Sequence, residues 1–191
     1  MKIIQKYMTR NDCYQANEKM VPKGILVHST ATPGIMADEW VEMGNKPFKE
    51  GETNRQVCVH AFLDDKKIMQ YLPWDHRGWH GGGSVNKTHI GFEICEPAGI
   101  VYNEYGSAIV EYDVEANEDY FRKAFKNAVD LCVMLCKEFN LTERDIITHC
   151  EGYKMGIASN HADVMHWFPK HGENMDSFRL AVKLELDKEN I

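Results

Sequence analysis

Residues 145–168 carry the strongest structural signal in the chain and read DIITHCEGYKMGIASNHADVMHWF. The β-favouring start of this stretch predicts a short buried strand that ends at His149. The turn-forming residues that follow predict a loop, which then delivers His161 and Asp163. A histidine at a strand end, followed by a loop that brings in a second histidine and a carboxylate, is typical of a metal site.

A second strand-end histidine, His28, closes the apolar run Gly24–Ser29. A single histidine in this position is most often a surface or hydrogen-bonded residue. Together with His149 and Asp163, however, it offers a donor set of imidazole nitrogens and a carboxylate oxygen. Such a set suits Zn²⁺ and leaves a fourth tetrahedral position open for water. Because the three residues form no local ligand motif, their pattern alone leaves both interpretations open.

The segment Trp74–Gly83 is rich in glycine, tryptophan and histidine. A glycine triplet does not sustain a helix, so the spacing of His76 and His80 is not that of a helical ligand pair. We expect a loop whose backbone passes close to a ligand. A flexible surface turn is the alternative.

Length and composition limit the class of protein. With 191 residues, 43% hydrophobic and 27% charged, the chain is expected to form one domain over residues 1–191. The net charge of −7 argues against a nucleic-acid partner. No apolar run is long enough to predict a membrane span. The N-terminus lacks the apolar core of a signal peptide, so we expect synthesis in the cytoplasm.

The six cysteines form neither a CxxC pair nor a zinc-finger spacing. We therefore expect reduced thiols that are mostly buried as small apolar groups. Cys132 and Cys136 should share the buried face of a helix. Cys150 differs from the others because it neighbours His149.

Predicted strands and helices are interleaved along the chain. A hairpin is predicted from Val57–Leu63 and Lys67–Leu72, and a long helix over Asn117–Phe139 with Asn117 as its cap. The other predicted elements are an irregular lead-in over residues 1–23, a short helix over Ala37–Gly44, a strand over His89–Cys95 and a last helix over about Asn174–Lys188. The fold class is therefore α/β (α+β), a central mixed β-sheet flanked by helices, with a core over residues 24–189.

The predicted strand His89–Cys95 contains one charged residue, Glu93. Alternation places Glu93 on the face opposite to Ile90, Phe92 and Ile94. A carboxylate buried in a central strand is costly unless it is paired or functional. The alternative is an edge strand with a solvated Glu93.

Seven short motifs then occur in one order between Gly24 and Trp167. They are LVHST (26–30), VHAFLDD (59–65), IMQYLPW (68–74), GWHG (78–81), IGFEI (90–94), ITH (147–149) and NHAD (160–163). With these motifs the chain resembles the zinc-dependent type 2 N-acetylmuramoyl-L-alanine amidases. That group includes phage lysozyme-amidases, bacterial anhydro-muropeptide amidases and peptidoglycan recognition proteins.

The resemblance implies a ligand set and a catalytic pair. Zn²⁺ would be bound by His28, His149 and Asp163. Glu93 would act on the attacking water, and His161 would stabilise the oxyanion. Because the loop before Asp163 is longer than in some branches of the family, His161 is the substitute for the third ligand.

The resemblance also implies a substrate, bacterial peptidoglycan, cut at the amide bond between N-acetylmuramic acid and L-alanine. His60, Trp79 and His80 would contact the glycan strand and stem peptide, although Trp79 could equally lie in the core. We expect a phage or prophage endolysin that acts at the cell wall after a holin-type permeabilisation, with no wall-binding domain in this chain. The alternatives are a peptidoglycan-binding module without catalysis and a cytoplasmic amidase that recycles soluble muropeptides.

Overall fold

The computed structural model describes residues 2–188, which form a large mixed sheet, a small hairpin and flanking helices. Within these residues the strands are β1 (Ile3–Gln5), β2 (Gly24–Ser29), β3 (Ala61–Leu63), β4 (Ile68–Gln70), β5 (His89–Ile94), β6 (Val101–Tyr102), β7 (Ile109–Glu111) and β8 (Ile146–Thr148). The α-helices are α1 (Asp12–Ala16), α2 (Trp40–Gly44), α3 (Val114–Phe139), α4 (His149–Lys154) and α5 (Met175–Lys188). The predicted fold class is confirmed.

The strand order of the large sheet is β1-β4-β3-β5-β2-β8. The β3–β4 hairpin is antiparallel, as predicted, whereas the other neighbouring pairs are parallel. Strands β5, β2 and β8 therefore end at the same edge of the sheet. Side chains at the carboxyl ends of neighbouring parallel strands meet in one place, which is where ligands bind in many open α/β sheets.

One face of the sheet is sealed by α3 and α5. Ile25 and Val27 of β2 and Phe92 of β5 pack there in the main hydrophobic cluster. The helix α3 contributes Phe121 and its neighbours at helical spacing, and α5 contributes Phe178 and Val182. Burial of about 25 cal/mol per Å² of apolar surface makes this face the main source of folding free energy.

The residues that alternate with Ile25, Val27 and Phe92 lie on the opposite face of the sheet. On β2 these are Leu26 and His28, and on β5 they are Gly91 and Glu93. The predicted alternation in β5 is therefore confirmed. Because β5 lies between β3 and β2, the alternative of an edge strand with a solvated Glu93 is wrong.

The interpretation of residues 1–23 as an irregular lead-in is wrong for the described residues 2–23. Strand β1 pairs in parallel with β4, so that Ile3 lies beside Ile68. Helix α1 is capped by Asn11, whose side chain accepts a hydrogen bond from the backbone of Cys13. Both elements are too short to show a period in the sequence, and the partner of β1 lies far along the chain. The predicted core from residue 24 therefore starts too late, while its end at residue 189 lies outside the described residues.

Several boundaries also differ from the prediction. Helix α3 begins at Val114 because Asp113, rather than Asn117, accepts the capping hydrogen bond from Ala116. The strand predicted over Val57–Leu63 is regular only from Ala61, since an isolated bridge to Trp79 interrupts it at Cys58. The residues after His149 form the short helix α4 before the predicted loop begins.

All six cysteines, each within the described residues, are free thiols, and Cys132 and Cys136 are buried together on α3 as predicted. Cys150 is the one of the six that is only half-buried. Among residues 2–188, no helix combines the length and apolar character needed to cross a membrane.

Candidate metal centre and substrate cleft

Three parallel strands supply the candidate metal centre. His28 lies next to the last residue of β2 and pairs in register with Glu93 on β5. His149 follows directly after β8, which pairs with β2 on its other side. The strand ends therefore bring these three side chains to one edge of the sheet, and all three were identified from the sequence.

The fourth residue, Asp163, is positioned through its backbone. The hydroxyl of Thr148, at the end of β8, donates a hydrogen bond to the carbonyl of Asp163 and accepts one from the N–H of Val164 at 2.8 Å. The backbone N–H of Thr148 in turn donates to Glu151, which Arg179 of α5 holds through two bonds of 3.0 Å. This chain of contacts fixes the loop that carries Asp163 against the strand that carries His149.

His28, His149 and Asp163 form a compact triangle of potential ligand atoms. Nδ1 of His28 lies 2.9 Å from Oδ2 of Asp163 and 3.2 Å from Nδ1 of His149. The third side, from Nδ1 of His149 to Oδ2 of Asp163, is 3.6 Å. Tetrahedral zinc with bonds of about 2.0–2.2 Å holds its ligand atoms about 3.3–3.6 Å apart. The donor set therefore suits a zinc ion, and the triangle comes close to these dimensions, with two of its sides shorter by about 0.1–0.4 Å.

The electrostatics of the triangle also favour a cation. Burial lowers the pKa of His28, although the nearby Asp163 carboxylate opposes this shift, so the imidazole is neutral and able to ligate. Burial alone would raise the pKa of Asp163, but its hydrogen bonds with His149 and His28 outweigh burial and hold the pKa well below its usual range. The site thus combines two imidazoles with one ionised carboxylate.

Glu93 lines the cleft beside this triangle. Burial, followed by the charges of Asp163 and Glu96, raises the pKa of Glu93 well above its ordinary value, while Arg55 opposes the shift. Its buried Oε2 atom has no hydrogen-bond partner among the described residues. A buried carboxyl oxygen without a partner is costly, and this arrangement is typical of a group that exchanges a proton with a substrate.

His161 is exposed at the mouth of the site and lines the same cleft. Its ring stacks on the ring of His149, with centroids 4.5 Å apart. The triangle of ligand atoms is completed by Asp163 rather than by His161. His161 therefore lies at the solvent side of the candidate metal centre, on the wall of the cleft.

The predicted substrate residues are placed in three different ways. Trp79 is half-buried: it lines the cleft and also packs on a small cluster with Cys58. His80 borders the cleft, but its ring nitrogens contact His28 and the backbone of His89. The interpretation of His60 as a groove residue needs correction, because its side chain is fully buried.

The two ring nitrogens of His60 explain that correction. Nε2 lies 2.8 Å from the backbone carbonyl of His76, and Nδ1 accepts a hydrogen bond from the N–H of Gly91 at 3.1 Å. Burial lowers the pKa of His60 to about 4, so the ring is neutral. The sequence shows a histidine near a glycine-rich loop, but it does not show that the loop closes over the ring.

The cleft has a volume of about 880 Å³ and includes residues that the sequence did not indicate. One wall is formed by the polar loop of residues 51–57, including Arg55, and another by Trp40, whose ring stacks on Phe62 with centroids 4.5 Å apart. These residues have no local motif, and only the folded chain brings them beside His28.

A mixed sheet with three candidate metal ligands near its carboxyl edge, an adjoining half-buried glutamate and an open cleft has the arrangement of a catalytic metal site. Residues 18–168 match the Amidase_2 family, described as N-acetylmuramoyl-L-alanine amidase. The chain belongs to this family.

Individual relatives agree with the family. The chain is 34% identical over 134 residues to the N-acetylmuramoyl-L-alanine amidase CwlH of Bacillus subtilis (strain 168), which covers 68% of this chain and 44% of the relative. It is 30% identical over 152 residues to the N-acetylmuramoyl-L-alanine amidase XlyA of the same strain, covering 78% of this chain and 43% of the relative. The chain thus spans less than half the length of these two proteins.

Solved structures extend the likeness over nearly the whole chain. The catalytic domain of XlyA superimposes with a TM-score of 0.67 at 25% identity and covers 95% of this chain and 99% of that domain. A mutant endolysin from Bacillus subtilis gives a TM-score of 0.66 at 27% identity, with coverage of 95% and 99%. The chain is therefore similar to the catalytic part of longer amidases.

Proposed function

We propose that this chain hydrolyses the amide bond between N-acetylmuramic acid and L-alanine in bacterial peptidoglycan, with Zn²⁺ held by His28, His149 and Asp163. The observation that carries the proposal is the triangle of ligand atoms at the carboxyl edge of an Amidase_2 sheet. Three protein ligands leave a coordination position free for chemistry. A binding module without catalysis is disfavoured because all three ligand positions hold metal-capable side chains.

Glu93 would move the proton in this reaction. When bound, Zn²⁺ supplies Lewis-acid activation of the attacking water and of the amide carbonyl. The Glu93 carboxylate accepts the proton of the water and delivers it to the amide nitrogen of the leaving alanine. Burial and neighbouring carboxylates raise its pKa, and a nearby cation lowers it. The opposing shifts suit a group that both accepts and donates a proton near neutral pH.

His161 would face the oxyanion that develops on the carbonyl oxygen. Its exposed ring above His149 lets it donate a hydrogen bond to a substrate in the cleft. Losing one donor of this kind typically costs about 2.7–4 kcal/mol of transition-state stabilisation. Trp79 and His80 border the cleft where the glycan and stem peptide would lie.

The finer proposal is that the chain acts on the assembled cell wall as an endolysin, made in the cytoplasm and released by permeabilisation of the membrane. The likeness to a structure described as an endolysin supports it. An amidase that recycles soluble muropeptides has the same bond to cut, so the choice between them depends on the substrate that is turned over.

The test is mass spectrometry of purified peptidoglycan digested with the zinc-loaded protein, with and without a chelator. We expect chelator-sensitive release of stem peptides with a free N-terminal alanine, and glycan strands that stay intact. A parallel digestion of soluble muropeptides should proceed more slowly than digestion of intact sacculi.

Each result decides one part of the proposal. No cleavage of several wall types by zinc-loaded protein would overturn the amidase and favour the binding module. Cleavage that survives the chelator would overturn the role of zinc. Cleavage of muropeptides but not of sacculi would leave the amidase and replace the endolysin with a recycling enzyme.

A further inference from the structure

A buried carboxyl group just past the carboxyl end of β5 has no part in the proposed chemistry. Glu96 has no solvent exposure. Its Oε1 atom lies 2.9 Å from Nε2 of His166, whose side chain is 6% exposed. Its Oε2 atom accepts a hydrogen bond from the hydroxyl of Tyr102 on the β6–β7 hairpin, and the same hydroxyl lies 2.8 Å from Nε2 of His166. Side chains from three segments of the chain therefore meet at one buried point.

Stability alone does not explain this cluster. A buried carboxyl and imidazole typically contribute no more stability than well-packed apolar side chains of the same volume, because both groups lose their contact with water. A fully bonded polar cluster does fix geometry, since each group needs its partner at hydrogen-bond distance. The two segments that Glu96 connects show which geometry is fixed.

The first of these segments carries Asp163. His166 lies three residues after Asp163, and the backbone between them is tightly turned. The N–H of Met165 donates to the carbonyl of Ala162 at 2.9 Å, which closes a turn around Asp163. A displacement of His166 would therefore be passed on to Asp163 within one turn of the backbone.

The second segment is the end of β2, which carries His28. The backbone N–H of Glu96 donates to the hydroxyl oxygen of Thr30 at 3.3 Å. The N–H of Thr30 in turn donates to the carbonyl of Ile94, the last residue of β5, at 3.1 Å. Glu96 thus connects the strand that carries His28 with the segment that carries Asp163.

We infer that Glu96 is a positioning residue that sets the place of Asp163 relative to His28. It acts through the ring of His166. The inference rests on the proposed zinc site and adds to it a residue outside the ligand triangle. Thr148 has the corresponding role on the other side, where it ties Asp163 to β8. The side of the triangle that Glu96 controls is the 2.9 Å contact between His28 and Asp163.

Three substitutions distinguish this role from a general effect on folding. Glu96→Met keeps the approximate volume of the side chain but removes both oxygens. Tyr102→Phe removes a single hydroxyl and is the milder change. Glu96→Gln keeps one oxygen acceptor and gains an amide donor, so it can still bridge Tyr102 and His166. Glu111→Met, exposed on the same hairpin as Tyr102, is the matched control.

The first test is amide hydrogen exchange of the metal-free full chain, measured by mass spectrometry. The N–H groups of Val164 and Trp167 are hydrogen bonded in the wild type. We expect exchange of residues 162–168 to be about 10-fold faster in Glu96→Met, and a smaller increase in Tyr102→Phe, while β2 and β5 stay protected. Glu96→Gln and the control should match the wild type.

Unchanged exchange of residues 162–168 in Glu96→Met would overturn the inference. If Glu96→Met instead loses protection in every strand, Tyr102→Phe decides by the same criterion, and exchange equal to that of the wild type would then overturn it.

The second test is zinc affinity, measured by competition with a chromophoric chelator. Losing a group that supports the ligands from behind typically weakens metal binding about 10–100-fold. We expect about 10-fold for Glu96→Met and less for Tyr102→Phe, whereas Glu96→Gln should stay within about 3-fold of the wild type. If Glu96→Gln binds zinc as weakly as Glu96→Met, the charge of Glu96 acts on the metal and the positioning role is overturned.

The two measurements separate this inference from the proposed function. Faster exchange of residues 162–168 in Glu96→Met, with no zinc binding by the wild type, would overturn the proposed metal centre but leave the positioning of Asp163 in place. Tight zinc binding that neither Glu96→Met nor Tyr102→Phe weakens would overturn the positioning role and leave the metal centre.

Discussion

Phe92 and Glu93 are neighbours on β5, yet they belong to opposite faces of the sheet with opposite physical characters. Phe92 is fully buried among the side chains of α3 and α5. Glu93 faces the cleft with an unpaired carboxyl oxygen beside two histidines and an aspartate. On β2, Val27 and His28 divide in the same way.

The difference shows how one strand serves both stability and chemistry. The sealed face provides the apolar burial that holds the strands in register. The open face can then keep groups that are unfavourable on their own, such as the unpaired Glu93 oxygen and the buried carboxylate of Asp163. Substitutions on the two faces should therefore change different observables.

The largest effect is expected for His149→Ala on the open face. Because His149 supplies one of three ligands, we expect loss of bound zinc and a fall in hydrolysis of about 10⁴-fold or more. Zinc content by mass spectrometry and release of stem peptides check both outcomes. Lys154→Ala, exposed on the same helix, is the control, and full activity of His149→Ala would remove it from the ligand set.

Glu93→Gln is expected to give the next largest effect, on catalysis alone. The amide keeps the shape of the side chain but cannot accept the proton, so kcat should fall about 10²–10⁴-fold while zinc remains bound. Steady-state kinetics and metal analysis on the same preparation test this separation. An unchanged kcat would remove Glu93 from the mechanism; Glu111→Gln on the exposed hairpin is the control.

Phe92→Ala should affect the sealed face instead. Truncation of a buried phenylalanine leaves a cavity and typically costs about 3–5 kcal/mol of unfolding free energy. Urea unfolding followed by circular dichroism measures this loss, with Phe48→Ala, which is 41% exposed, as the control. If the fraction that stays folded also loses its kcat, the two faces are more strongly coupled than their contacts indicate.

The smallest effect concerns pH and the metal-free protein. The pKa of Glu93 is raised above 4.5 by burial, so above that pH the folded state binds more protons than the unfolded state. Stability then falls as pH rises from 4.5 towards the folded pKa. Glu93→Gln lacks this term and should be more stable than the wild type at pH 8 by about 1–3 kcal/mol.

Urea unfolding of both metal-free proteins at pH 4.5 and pH 8 tests this sign. The histidines with lowered pKa values are common to both proteins, so their contribution cancels in the difference. We expect the difference to be close to zero at pH 4.5. A wild type that is more stable than Glu93→Gln at pH 8 would show that the carboxylate is paired in solution.

Much of this site could be predicted because its residues end strands with clear local patterns. His28 and His149 each close an apolar run, and the alternation of β5 separates Glu93 from Phe92 without knowledge of the fold. These features depend on the two-residue period of a strand, which is visible in a short window. The family motifs then connect residues that lie far apart in the sequence.

The remaining features depend on contacts that no short window contains. The burial of His60 requires the loop after Trp74 to close over it. Strand β1 is a strand only because β4 lies beside it. A three-residue element has no period of its own, so its structure is decided by its tertiary partner.

Helix α5 has a consequence for shortening the chain. The family match ends at residue 168, before α5 begins. Phe178 and Val182 of α5 nevertheless pack in the main hydrophobic cluster, and Arg179 donates two hydrogen bonds to Glu151 of α4. A protein that ended at residue 168 would expose the apolar surface that α5 covers and would lose the hydrogen bonds from Arg179 to Glu151. The smallest autonomous unit therefore extends at least through Val182, past the boundary that sequence similarity alone would draw.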